Sequence, residues 1–497
     1  MILAIDSGTT GTTVLIIDAK GRVAAQAYAE LPQHYPQPGW VEHNPQQILA
    51  VTRLVIKKAL SSGRITASRI RAIGITNQRE TTLLWDRKTG KPLANAIVWQ
   101  CRRTSALCQR LIKQKKAAGI RAKTGLVVDA YFSGTKLQWL LDHAPSARKR
   151  ALRGELAFGT VDSWLIWHLT GGQVHATDFT NASRTMLYNI HSQRWDATLL
   201  KMMAVPESVL PQVKPPSGFF GKISSRFGIL PAGIPITGVA GDQQASMVGH
   251  GCLSSGTAKN TYGTGCFLLL HTGSKAVASR NGLLTTLVCG SSSAAAYALE
   301  GSVFIAGAAI QWLRDSLQTI GRAAETETIA RRVKDTGGVY VVPAFVGLGA
   351  PYWDMQARGA VIGLTRGSGR DVIVRATLES LAYQTRDVVE AMEKDSGISL
   401  HELRVDGGAA QNDWLMQFQA DVLGIPVIRP AMVANTGKGA ALLAGIGVGL
   451  WKPGEVKGLA AASQRVFKPR MDNHKRQKLY AGWKEAVARV RDRPAHD

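Results

Sequence analysis

The sequence predicts an α/β protein of two similar halves, and three observations carry that prediction. Short apolar segments rich in β-branched residues alternate with stretches of helical periodicity. A hairpin with a hydroxyl- and glycine-rich turn occurs twice, through Gly8, Thr9, Thr10, Gly11, Thr12 and Thr13 and again through Gly263, Thr264 and Gly265. The 497 residues also exceed what one core holds, because single cores stop growing at roughly 250–300 residues. The pattern begins again past residue 251, so the expected domains are 1–251 and 252–497.

In chain order, the apolar strand ILAI at 2–5 runs into Asp6 and the first turn, with further strands after it and after Lys20-Gly21. No Gly-Lys-Ser/Thr follows those glycines, so the turn is not a P-loop. It is a different phosphate cradle, in which backbone N–H groups and Thr hydroxyls can ring a phosphate while Asp6 holds Mg2+ through water. The aromatic loop PGWVEH at 38–43 leads to Asn44-Pro45, a helix start, and the helix runs over 48–60 with Leu49, Val55 and Ile56 turned inward.

A strand over 70–75 delivers TNQRETT at 76–82. Arg79 supplies donors and Glu80 accepts from hydroxyls, which suits a polyhydroxyl ligand; the alternative is a local surface ion pair contributing little. A strand over 96–100, a long basic helix after Cys101 and an amphipathic helix over 137–142 follow. Ile234-Pro235-Ile236-Thr237 reads as a buried strand and 245–248 as a helix start, so Asp242 stands at a Gly-flanked strand-to-helix turn. There it can be a base toward a hydroxyl, a metal ligand or a plain helix cap.

The second half repeats the texture. KNTYGTGCF at 259–267 forms the second hairpin, a strand over 297–304 follows, and a helix over 308–317 carries Gln311. VDGGAAQND at 405–413 is a strand and a Gly pair opening a helix over 414–423. Its small residues admit an adenosine ring and Asn412 can bond to it, which places a nucleotide in the cleft between the halves.

Composition narrows the function. Hydrophobic residues make up 45%, with 51 Gly, as in a globular protein. No run is apolar enough to span a bilayer and the N-terminus opens on a strand without a basic leader, so a soluble, non-exported protein is expected. The five cysteines show no metal-ligand spacing and read as free thiols in a reducing cytoplasm. A net charge of +25 invites an anionic partner. Yet the denser patches, 102–123, 148–153 and 468–478, lack interleaved aromatics and read as solvated helix faces, not a specific nucleic-acid site.

These residues match a known pattern. PGWVEH at 38–43, GITNQRETT at 74–82, YFSGTK at 131–136, GDQQ at 241–244, KNTYGTGCF at 259–267, ALEG at 298–301, PYWD at 351–354 and VDGG at 405–408 resemble, in order, the FGGY carbohydrate kinases. Arg79-Glu80 with Gly241-Asp242-Gln243 is most similar to members acting on glycerol. The resemblance implies two duplicated actin-like, ribonuclease-H-like ATPase domains with a catalytic cleft between them, and transfer of a phosphoryl group from ATP to glycerol with Mg2+. Arg79, Glu80, Tyr131, Asp242 and Gln243 would bind the hydroxyls, with Trp99 and Phe267 walling the carbon chain. Asp242 would be the general base, and Asp6 with Asp242 would organise the metal. Ser7, Thr9, Thr10, Gly263, Thr264 and Gly307 would face the phosphates, and Gln311, Gly408, Ala409 and Asn412 the nucleoside. A homodimer or homotetramer is implied as well.

The chain departs from that pattern in places. Ser7 stands where members of the glycerol type usually have Gln, and Thr13 where many have a cation. Ala130 replaces a proline before Tyr131, and NTGKGAA at 435–441 alters a usual Glu-Thr-Thr motif. The loop at 224–235 lacks a Gly-rich basic pattern, so no sugar-phosphate regulation is expected. Two other readings stay open: a kinase for another small polyol or ketose, and an actin-like fold that binds nucleotide without phosphorylating anything.

Overall fold

The computed structural model describes residues 1–290, 295–431, 434–460 and 464–491; the last residues of the expected second domain, 492–497, lie outside these. The first sheet has five strands: β1 (Ile2–Ser7), β2 (Gly11–Ile17), β3 (Val23–Glu30), β4 (Ala72–Asn77) and β5 (Ile236–Gly241), in the order β5-β4-β1-β2-β3. β1, β4 and β5 run parallel, and β2 and β3 are antiparallel additions. The central strands are apolar on both faces because both faces are covered, and Ile2, Leu3, Ala4, Ile5, Ile73 and Ile75 are fully buried. Helix α1 (Pro45–Ser62) starts where Asn44 caps the Gln46 N–H and Pro45 occupies the first turn. Two further helices bear on the cleft, α2 (Ser133–His143) and α3 (Asp242–Gly249).

The second sheet repeats this order with an extra strand at each edge. Its strands are β6 (Ala258–Tyr262), β7 (Cys266–Gly273), β8 (Leu284–Cys289), β9 (Ala295–Val303), β10 (Leu403–Asp406), β11 (Val427–Pro430) and β12 (Gln464–Phe467), ordered β8-β9-β7-β6-β10-β11-β12. β6 pairs antiparallel with β7 and parallel with β10, as β1 does with β2 and β4. Helices α4 (Gly307–Asp315) and α5 (Asp413–Leu423) flank this sheet.

One helix crosses back. α6 (Asn435–Gly447), late in the second half, packs its alanines 440, 441 and 444 against Ile2, Ala4, Leu15, Ala72 and Ala240 of the first sheet. The contact is so close that a side chain at Gly439 would strike the Ala245 carbonyl, and one at Gly74 the Ala440 carbonyl. This is the physical reason for small residues on both sides.

Two expectations are corrected. The strand expected over 96–100 is only Ala96–Ile97, because the chain turns at Cys101 to bond back to the Val98 carbonyl. The long basic helix is two short ones, Ser105–Lys113 and Ala117–Thr124, broken where Lys115 takes a φ of +57°. The cationic run 113–116 has no apolar side chain to bury, and packing does not carry the helix through it. All five thiols are buried and free, and among the described residues no helix is long and apolar enough to cross a membrane.

Candidate active site

The parallel strands of each sheet end at one edge, and the two edges face each other across the cleft. β1 ends in Asp6-Ser7, β4 leads through Asn77 into Arg79-Glu80, and β5 hands Asp242 to the first turn of α3. From the other side β6 brings Lys259 and Thr261, β9 brings Glu300, and β10 brings Asp406.

Arg79 and Glu80 are not a local surface pair. Arg79 and Glu80 are 2% and 1% exposed and 3.8 Å apart at their closest charged atoms. Arg79 instead forks onto Glu300 at 2.8 and 3.0 Å and reaches Asp242 Oδ1 with Nε at 3.1 Å. Glu80 accepts from Arg184 Nε at 2.6 Å, and Arg184 also donates to Glu300 at 3.0 Å. Two guanidinium groups thus alternate with three carboxylates. Burial alone raises the Glu300 carboxyl pKa, but Arg184 and Arg79 outweigh it and hold it at about 2. Burial lowers the Arg79 pKa, and Glu300, Glu80 and Asp242 overcome that, so Arg79 is held firmly charged. Arg184 and Glu300 are the residues sequence reasoning missed. The available signal was an acid inside the otherwise apolar strand AAYALEGSV at 295–303.

Beside this cluster stands an aromatic wall. The Trp99 ring lies edge-on to Tyr131 at 5.5 Å and to Phe267 at 6.2 Å, and its Nε1 donates to Thr9 Oγ1 at 2.9 Å. Phe267 comes from the second sheet, so the wall closes only when both halves are in place. Tyr131 is set by Asp129, whose Oδ1 accepts the Tyr131 N–H at 2.8 Å. That bond stands in for the rigidity the missing proline would lend. Gln243 takes a bond from the Lys259 ammonium, which also donates to Thr261 Oγ1 at 2.8 Å.

Asp6 is the least supported acid in the site. Burial, then the nearby charges of Asp242 and Asp406, pushes its pKa up to about 7. The hydroxyls of Ser7, Thr12 and Thr76 nearby are buried without a partner. A carboxylate facing two others, next to unspent hydroxyls, is a fitting place for a hydrated divalent cation, which keeps most of its own water. Among the described residues no group of three or more His, Cys, Asp or Glu is arranged to hold a metal through protein ligands alone. Thr13 pairs directly across from Asp6, so the place of the absent cation is beside this acid.

On the second sheet the hairpin tip is tied to α4: Ala306 and Ala308 N–H bond the Thr264 carbonyl at 2.8 and 3.1 Å, and Gly307 N–H bonds that of Gly263 at 2.9 Å. On the first sheet the Thr10 carbonyl takes the Leu31 N–H at 2.9 Å, while Thr10 itself is exposed. Gly408 has open space where a side chain would stand, as the approach of a ring requires, and Ala409 follows it in a short 3-10 turn. Gln311 lies on the exposed face of α4. Asn412 is engaged: its Oδ1 caps α5 at Leu415 N–H (2.9 Å) and its Nδ2 donates to Thr326 at 3.2 Å. These bonds use one lone pair and one N–H, so the second N–H is the donor that the amide expected to meet a base has left.

Comparison with known proteins agrees with this arrangement. Residues 1–249 match the N-terminal domain of the FGGY family of carbohydrate kinases, and residues 258–448 match its C-terminal domain. The chain is 56% identical over 491 residues to a glycerol kinase of Petrotoga mobilis, covering 99% of this chain and 98% of the relative. It is 55% identical over 489 residues to glycerol kinase 2 of Thermotoga maritima, covering 98% of each. Among solved structures it resembles Plasmodium falciparum glycerol kinase with ADP, at a TM-score of 0.93 and 38% identity over 99% of this chain and 98% of that one. The two sheets are thus the paired actin-like, ribonuclease-H-like domains of that fold.

Proposed function

We propose that this chain, which belongs to the FGGY family of carbohydrate kinases, transfers the γ-phosphoryl group of ATP to glycerol and yields sn-glycerol 3-phosphate. The observation that carries the reading is Asp242, a carboxylate at the head of α3 with 30% of its side chain open to the cleft and Arg79 Nε at 3.1 Å on one oxygen. The likeness to glycerol kinases over nearly the whole chain supports it.

In this reading the glycerol hydroxyls take the free valences of Arg79, Glu80, Tyr131, Asp242 and Gln243, while Trp99 and Phe267 cover the carbon chain. Each hydroxyl left unpaired on burial would cost about 1–3 kcal/mol, which is why so many fixed polar partners converge. Asp242 accepts the proton of the attacking hydroxyl as its oxygen bonds to the γ-phosphorus and ADP departs. Phosphoryl transfer asks mainly for alignment and charge compensation. Asp6, with Asp242, would hold Mg2+, whose charge offsets that of the phosphoryl oxygens. Ser7, Thr9, Thr10, Gly263, Thr264 and Gly307 would face the phosphates and Gln311, Gly408, Ala409 and Asn412 the nucleoside. We place the division of the two domains at 251/252 and the protein in the cytoplasm as a homodimer or homotetramer.

The test is ADP release with Mg2+ and ATP against glycerol, dihydroxyacetone, erythritol, xylulose and no acceptor, with Asp242→Asn alongside. Turnover on glycerol that falls by at least about a thousandfold in the variant is expected, on the scale of losing a general base in a preorganised site. Preference for another acceptor would discard the glycerol pocket, and nucleotide binding without acceptor-dependent turnover would discard the kinase.

A further inference from the structure

Glu80 adopts a backbone φ of +60°, in the left-handed region that a branchless glycine tolerates and a glutamate does not favour. Three donors converge on its carbonyl oxygen: Thr82 Oγ1 at 3.0 Å, Ser133 Oγ at 3.0 Å and the Lys136 ammonium at 3.2 Å. The same ammonium donates to the Tyr131 carbonyl at 2.7 Å. Lys136 is fully buried and, among the described residues, forms no ion pair. Its partners are the backbone carbonyls of two residues whose side chains face the cleft.

Burying an ammonium on carbonyls is a costly way to hold a loop, and an apolar side chain would fill the space more cheaply. Burial brings the Lys136 pKa down to about 7, and in either protonation state the amine has the two N–H groups needed to give directed bonds to both carbonyls, one of which must stay in an unfavourable rotation. Ser133 and Lys136 lie on the first turn of α2, so one rigid element supplies two of the three donors.

We infer that Lys136, with Ser133, is a positioning residue that locks the left-handed turn at Glu80 and ties it to Tyr131, so that α2 sets the aim of the acceptor-binding carboxylate. The inference rests on the proposed acceptor site. It assigns Lys136 no contact with substrate.

The test compares Lys136→Met, which keeps an unbranched stem and removes the donor, with Ser133→Ala, Glu80→Ala and the Lys136→Met/Glu80→Ala double variant. The expected result for Lys136→Met is a rise of tenfold or more in the KM for glycerol with the KM for ATP within twofold of wild type, and a smaller rise of two- to fivefold for Ser133→Ala. In the Glu80→Ala background Lys136→Met should add less than twofold, because the group it aims is gone. An unchanged glycerol KM in both single variants, equal shifts in both KM values, or full additivity in the double variant would overturn the inference. If Lys136→Met does not fold, Ser133→Ala with its own double variant decides on the same readings. Wild-type turnover on a different polyol would sink the glycerol assignment alone, and the KM for that polyol then takes the place of the KM for glycerol.

Discussion

The two sheets place an acid and a threonine at matching positions and swap them. On the first sheet Asp6 is the last residue but one of β1 and Thr76 pairs with it from β4; on the second Thr261 is the last but one of β6 and Asp406 pairs with it from β10. Their environments differ sharply. Asp406 accepts from Thr261 at 2.6 Å, Ser246 at 3.0 Å and His250 at 3.0 Å. Burial pushes its pKa up, yet His250, Lys259 and Thr261 more than offset that and bring it to about 2. Asp6 has no such donors and sits at about 7. Thr76 keeps an unpartnered hydroxyl where Thr261 spends its own on the acid. The same strand geometry therefore gives two outcomes: Asp406 is a structural anion that binds α3 to the second sheet, and Asp6 is an acid without comparable donors among the described residues, which is what the proposed metal role requires.

Four substitutions test this contrast. The largest effect is expected from Asp6→Asn, with kcat down by about a hundred- to a thousandfold, the loss of several kcal/mol of charge stabilisation. Stability should move the other way. The folded pKa of Asp6 lies above its ordinary 3.8, so its ionisation opposes folding increasingly as pH rises from 3.8 toward 7 and fully above that. The variant should gain about 1–2 kcal/mol at pH 8, after allowance for solvent in the cleft, and nothing at pH 4. Thermal denaturation across pH checks it; a loss of stability at pH 8 would mean that Asp6 is paired after all.

Asp406→Asn should do the reverse, costing about 3 kcal/mol by taking the buried anion away from the Thr261, Ser246 and His250 side chains that bond it. The Asp406 folded pKa is below its ordinary value, so its contribution is complete above pH 3.8 and is lost only as pH falls toward 2. The deficit in denaturant titrations should accordingly be level from pH 5 to 7, below the pKa of about 8 to which burial brings the neighbouring Lys259. The smallest effect separates the threonines: Thr261→Val should cost about 1 kcal/mol and Thr76→Val close to none, since only the first gives up a bond. Equal losses in urea unfolding would erase the distinction drawn between the sheets.

Much of the site was legible in the sequence because its pieces are local. Asp242 follows a Gly at a strand-to-helix turn, and the two hairpins announce themselves by glycine and threonine. The meaning of Arg79 was not. Next to Glu80 it reads as a donor to a ligand's hydroxyls or, alternatively, as half of a surface pair, and neither reading foretells its bidentate partner Glu300, 221 residues away. Asn412 reads as a free amide, yet a helix cap and Thr326 already hold it at each end and fix where its second N–H points. The left-handed turn at Glu80 has no signal in composition, since nothing there is glycine.

By itself the sequence determined the alternation of strands and helices, the duplication, the family and the short motifs that carry the reacting groups, because each is written in neighbouring residues. Only the tertiary structure decided what those groups are worth. It brings Glu300 and Phe267 across the cleft, folds α6 back onto the first sheet, and leaves Asp6 bare while it satisfies Asp406. Hydrogen-bond partners and the loss of water are set by distance in space, and distance along the chain does not encode them.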